Sequence, residues 1–277
     1  MKRKQIFSTF FLGILSLVIA GTAFAAGGEH PGTAHWGGFP QPAGPIAEHV
    51  TDIYNFIYYI TLAIAILVEG LIIYIIWQYR ASKRKQAAKF SHNTMLEVVW
   101  TTIPAIICVA IAWQSFVAME KIRTFPEEGM DVEVIAYQFG WSFDYPDLGI
   151  SAPEPMESHK HLSSAGVERY VKDMVVPVDT VIKLHVTAQD VIHSFYAADA
   201  GIKIDAIPGR INYQWFEMNK EGEFIGQCAE LCGAAHGEMF FTIKVVSKEE
   251  FKEWANEPRA MYGMEKLDNV QLTSLLN

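Results

Sequence analysis

The 277-residue chain is 51% hydrophobic with a mean hydropathy of +0.14, too apolar for an ordinary soluble enzyme and too polar for a polytopic transporter, which leaves a short membrane part plus one soluble domain. Its formal charge is −9, and residues 120–277 hold 14 basic against 26 acidic side chains, so the acidity sits in the C-terminal part. Such a field repels nucleic acid and suits a basic protein partner, with plain solubility an equally compatible reading of the charge alone.

In chain order, residues 1–25 combine a basic start (Lys2, Arg3, Lys4), an apolar stretch and small residues around Ala23 and Ala25, the layout of a cleaved export signal. Residues 26–50, rich in Gly, Pro and His, suit an irregular exported leader with no core of its own. Residues 51–120 carry two apolar runs, 53–77 and 98–119, each long enough to cross a hydrocarbon core as a helix. Between them RASKRKQAAK holds five cations and no acid, so the positive-inside rule puts this loop in the cytoplasm and both flanks outside. The export signal delivers the mature N-terminus to the same side. Glu69 lies within the first run, where an ionisable group is costly; the sequence assigns it no role.

Residues 121–257 are read as one exported domain, in which from about Asp131 the pattern changes to short β-branched and aromatic runs such as VEVIAYQF, TVIKLHV and EMFFTIKVV, broken by Gly and Pro turns. This predicts an all-β sandwich or barrel. Residues 146–166 read as an exposed loop, and Ser247 with Glu250 forms a capping-box pattern for a closing helix. A tail occupies residues 258–277.

The string CAELCGAAHGEM places Cys228, Cys232, His236 and Met239 within one loop ahead of an apolar strand. The half that starts at Cys232 has the ligand order of a mononuclear blue-copper site, whose second histidine comes from an earlier strand edge. His193, in DVIHSF, is the natural candidate. Cys228 adds a second thiolate, so two sulfurs can bridge two coppers, each with one terminal histidine. Met239 is then a weak axial ligand, and the Glu230 carbonyl serves the other metal. Two Cys and two His are also a standard zinc set, although zinc leaves Met239 without a purpose. A Cys228–Cys232 disulfide is the remaining alternative for the pair.

These residues resemble subunit II of the haem-copper cytochrome c oxidases. The motifs carrying the likeness are EVVWTTIPAII, WSFDY, DVIHSF, IKIDAIPGR and CAELCGAAHGEM, in the family's order across roughly residues 50–257. The resemblance implies a two-helix transmembrane hairpin followed by an all-β cupredoxin-like sandwich with a dinuclear copper (CuA) centre. It also implies a two-pass protein of the bacterial inner membrane with both termini on the periplasmic side. Cytochrome c is the implied electron donor, and oxidase subunits I and III are the implied partners, with haem held only in subunit I. The Glu230 side chain would ligate a magnesium or manganese ion shared with subunit I. Glu97 matches a glutamate at the mouth of a proton channel, and a carboxylate favoured by a helix N-terminus is an equally compatible reading. Asp205 and Arg210 match residues near the subunit I contact, with turn and ion-pair roles as the alternative. Asp144 and Asp190 match acidic docking positions. Where the family usually offers a tryptophan that receives electrons, this chain has Phe139, followed by the matching Trp141.

Overall fold

A computed structural model describes residues 41–80, 82–83, 92–150, 158–162, 168–261 and 264–267. The expected export signal, most of the leader, Arg84, Lys85 and Lys89 of the basic loop, and residues 268–277 of the tail lie outside the described residues.

Two long helices come first, α1 (Pro45–Gln78) and α2 (Thr94–Arg123), of 34 and 30 residues. At about 1.5 Å per residue they run about 51 and 45 Å, beyond the ~30 Å of a hydrocarbon core, so their end turns reach the polar interfaces. Helix α1 starts earlier than hydropathy predicts because Pro45 fits the first turn, where its missing N–H costs nothing, and Glu48 complements the helix N-terminus. Helix α2 starts at Asn93, whose side chain accepts from the Leu96 N–H at 3.2 Å. The most apolar 18-residue window of each helix has no buried residue. Apolar side chains such as Ile66 and Val109 stand outward, which is stable only where lipid or protein replaces water.

The β domain is a separate unit. Its strands are β1 (Met130–Tyr137), β2 (Gly140–Asp144), β3 (Ser158–Leu162), β4 (Glu168–Pro177), β5 (Val181–Ala188), β6 (His193–Ala197), β7 (Ile202–Ala206), β8 (Asn212–Glu217), β9 (Gly222–Cys228) and β10 (Phe240–Val246). They form a four-stranded sheet in the order β2-β1-β5-β8 and a six-stranded sheet in the order β3-β4-β10-β9-β6-β7. Pairing is mostly antiparallel, with β1 parallel to β5 and β4 parallel to β10. Strict alternation in β5, buried at Ile182, Leu184, Val186 and Ala188, turns every second side chain inward. Phe195 and Phe241 stack at 4.2 Å, and Trp141 meets them edge-on at 5.5 and 5.3 Å. This aromatic cluster joins the sheets.

The closing helix α3 (Lys248–Met261) forms where the capping pattern predicts, with Ser247 Oγ accepting from the Glu250 N–H at 3.1 Å. It buries Phe251 and Ala255 and sets Trp254 edge-on to Tyr145 at 5.1 Å.

Two expectations are corrected. Residues 146–166 are not all loop: Pro146–Leu148 makes a 3-10 turn, and β3 pairs antiparallel with β4. An edge strand is bonded on one side only, so a polar run such as SHKHL can pair without an apolar pattern to announce it. The end of the leader is also anchored. Ala43 is fully buried, its N–H donates to the Asp199 carbonyl at 2.9 Å, and its carbonyl accepts from the Asn219 N–H at 2.7 Å.

Candidate metal centre

Three adjacent strands of the six-stranded sheet end at one place: β6 begins at His193, β9 finishes at Cys228, and β10 begins just after Met239. The register sets Phe195 against Cys228 and Phe240 against Gln227. The intervening loop is clipped at both ends, by the Cys228 N–H to the Met239 carbonyl (3.0 Å) and the Ala229 N–H to the Ser194 carbonyl (2.9 Å). Gly226 allows the close packing beneath it. A Cβ there would lie 2.0 Å from the Phe241 ring, so only glycine lets that ring cross β9.

On this platform the donor atoms converge. Cys228 Sγ lies 3.9 Å from Cys232 Sγ and 3.9 Å from His193 Nδ1, and Cys232 Sγ lies 3.6 Å from His236 Nδ1 and 3.8 Å from Met239 Sδ. The Glu230 carbonyl oxygen is 3.3 Å from Cys228 Sγ. Bonds of about 2.0–2.3 Å arranged tetrahedrally place donors on one metal about 3.6 Å apart, so these separations suit atoms sharing metal ions. The two sulfurs stand 3.9 Å apart as free thiols, well beyond the ~2.05 Å of a disulfide bond. Met239 is 1% exposed with its thioether turned into the cluster. That soft donor has no place in a zinc set and belongs in a copper one.

The two histidines differ in setting. His193 is wholly buried; its Nε2 donates to Asp190 Oδ1 at 2.9 Å, which turns Nδ1 toward the sulfurs. His236 is half-buried at the head of a short 3-10 turn. Burial would raise the Asp190 carboxyl, but hydrogen bonds from His193 and from the Gln138 and Val191 N–H groups outweigh it and hold the group below its ordinary value. Burial, and then the neighbouring Cys228, push the Cys232 thiol up to about 11. A metal captured here displaces protons as it binds.

The remaining expected residues fall into three groups. Phe139 sits at the tip of the β1–β2 hairpin with its ring against Gly233; a Cβ on that glycine, whose φ is +138°, would lie 3.0 Å from the ring. Trp141 is 1% exposed and edge-on to His193 at 6.3 Å, packed in the core beneath the loop. Both Asp190 oxygens are engaged within the site, and Asp144 stands opposite Glu133 at the other end of the hairpin. Asp205 and Arg210 are exposed around the turn that follows β7, and the Asp205 carbonyl accepts from Asn212 Nδ2. Glu97 occupies the first turn of α2, with its N–H bonded to the Asn93 carbonyl, and the Glu230 side chain is exposed. Sequence reasoning missed Gln138, whose Nε2 donates to the Cys232 carbonyl at 2.6 Å. Its only signal was adjacency to the aromatic segment.

Residues 130–246 match the model for the periplasmic domain of cytochrome c oxidase subunit II, and residues 33–118 match that for its transmembrane domain. The chain belongs to the cytochrome c oxidase subunit II family. It is 40% identical over 220 residues to the probable cytochrome c oxidase subunit 2 of Rickettsia bellii, covering 78% of this chain and 82% of that one. With cytochrome c oxidase subunit 2 of Cereibacter sphaeroides it shares 37% identity over 253 residues, 84% of this chain and 83% of the relative. Among solved structures, the periplasmic domain of subunit II from Bradyrhizobium japonicum matches at 38% identity, covering 50% of this chain and 99% of that one with a TM-score of 0.45. The chain is therefore a two-pass membrane protein of the cytochrome c oxidase subunit II family, and its His-Cys-Cys group fits a copper site in such a subunit.

Proposed function

We propose that this chain is the electron-accepting subunit of a respiratory cytochrome c oxidase, anchored in the bacterial inner membrane with its termini and β domain on the periplasmic side. The observation that carries the reading is the convergence of two thiols, two imidazole nitrogens and a buried thioether on one loop and one strand edge. Cys228, Cys232, His193, His236 and Met239, with the Glu230 carbonyl, would hold two coppers, which would supply reversible one-electron storage. The protein's part is to hold the donors still. Cys228 and His193 are fixed by the paired ends of β9 and β6, and Asp190 keeps the His193 ring in one tautomer. A site so held changes its geometry little when its charge changes, which favours electron transfer over substrate chemistry.

In this reading electrons arrive from cytochrome c at the Phe139 side of the loop and leave toward haem in subunit I, where oxygen is reduced to water and protons are translocated. The acidic balance of residues 120–277 favours a basic donor, with Asp144 among the docking acids. Asp205 and Arg210 face subunit I, with subunit III completing the assembly. The Glu230 carboxylate holds a magnesium or manganese ion at the subunit I boundary. Glu97 opens a proton channel on the cytoplasmic side.

The test is to isolate the complex, measure its metals, record its visible and paramagnetic spectra, and ask which reduced donor drives oxygen uptake. Two coppers in this chain with a delocalised mixed-valence signal, and oxygen uptake driven by cytochrome c, are expected. A chain that holds only zinc would overturn the reading, and freely exchangeable copper without an oxidase partner would point to copper delivery instead.

A further inference from the structure

Gln138 touches three parts of the β domain at once. It lies at the tip of the β1–β2 hairpin, between Tyr137 and Phe139. Its side-chain Nε2 donates to the Cys232 carbonyl at 2.6 Å, and its backbone N–H donates to Asp190 Oδ2 at 2.7 Å. The other Asp190 oxygen, Oδ1, accepts from His193 Nε2 at 2.9 Å and from the Val191 N–H at 2.7 Å. A single residue thus connects the hairpin, the segment leading into β6 and the metal loop. The space for this contact is reserved by Gly233, where a Cβ would stand 3.0 Å from Gln138 Nε2.

We propose that Gln138 is a positioning residue for the metal loop. Its amide holds the Cys232 peptide while its backbone N–H holds Asp190, so Cys232 and His193 keep a fixed separation across two segments of chain. The inference rests on the copper reading given above. The amide also has an electrostatic consequence. Its N–H dipole presents a positive end to the Cys232 peptide, which stabilises the more negative, reduced state of any metal held by that thiolate. A donor placed where charge develops acts without reorganising, and this one sits at the edge of the site, so water partly screens it.

The experiment uses the isolated full-length oxidase complex and compares wild type with Gln138→Met, which keeps the bulk and removes the donor, and Gln138→Glu, which keeps the shape and adds negative charge. Copper content, the visible and paramagnetic spectra and the reduction potential of the copper centre are read for each. The potential is expected to fall in the order wild type, Gln138→Met, Gln138→Glu. The first step should be about threefold in the oxidised-to-reduced ratio at fixed poise, roughly 30 mV for one electron. A changed hyperfine pattern and faster copper loss to a chelator should accompany it. An unmoved potential and spectrum in both variants, with two coppers still bound, would overturn the positioning role alone. A wild type without a copper pair would remove the copper reading and this inference together. If Gln138→Met binds no copper at all, the Gln138→Glu potential decides.

Discussion

The tip and the base of the β1–β2 hairpin are held by different means. At the tip, Gln138 and Phe139 lean on the metal loop through hydrogen bonds to Cys232 and Asp190 and a ring on Gly233. At the base, Tyr145 is fully buried, donates its hydroxyl to the Val175 carbonyl at 3.0 Å, accepts from the Val175 N–H at 2.9 Å and meets Trp254 edge-on. Burial drives the Tyr145 hydroxyl far above its ordinary value, so it stays a neutral donor at any physiological pH. The base is complete in itself, whereas the tip is built around the converging donors of the metal loop. Stability and metal chemistry should therefore separate along one hairpin.

The largest effect tests the tip. Cys232→Ser should abolish the copper spectrum of the purified complex while the chain still inserts into membranes, and a retained spectrum would count against the ligand set. Gly226→Ala should disturb the packing beneath the metal loop, because its Cβ collides with Phe241. Overpacking of this kind costs about 1–3 kcal/mol, and thermal unfolding together with copper retention should both suffer. Tyr145→Phe tests the base: it strands the buried Val175 N–H and carbonyl at a cost of about 1–3 kcal/mol, seen as a lower Tm with an unaltered copper spectrum.

Asp199 sharpens the contrast through pH. Burial raises its carboxyl to about 6, above the ordinary 3.8. Because the folded pKa exceeds the unfolded one, the neutral acid's contribution to stability is fully present below about 3.8 and lost as pH rises through about 6. Asp199→Asn should flatten the pH dependence of Tm over that window and raise Tm at pH 7; an unchanged pH profile would refute the assignment. The smallest effect belongs to Ser247→Ala, which removes the α3 cap and should cost about 1 kcal/mol, again without touching the copper spectrum.

The donors were legible in the sequence because copper ligation demands particular atoms at particular spacing. Four of them lie in one twelve-residue string, and His193 follows from the need for a second imidazole on a neighbouring strand edge. The helices were equally legible, since lipid requires long apolar runs, and only their ends shifted, where Pro45 and Asn93 set the first turns. Illegible were β3, which pairs at a sheet edge and needs no buried stripe, and the roles of Gln138 and Asp190. A glutamine in a turn and an aspartate before a histidine look like surface residues in one dimension. Gln138 meets the Cys232 carbonyl only when the hairpin folds over a loop 94 residues away in sequence, and Asp190 gains its contact with the hairpin from Gln138, 52 residues earlier. Trp141, expected beside the docking position, packs in the core, a placement that one dimension does not reveal.

The clip that closes the metal loop also ties the donors to the sheet. His193 and Cys228 come together only through the pairing of β6 with β9, across 35 positions of chain. In a metal-nucleated finger the ion organises a short segment, but here the sheet brings the donors to face one another. The geometry of the donor set is therefore a property of the sheet, and any change that loosens the pairing of β6 with β9 should loosen the donor set with it.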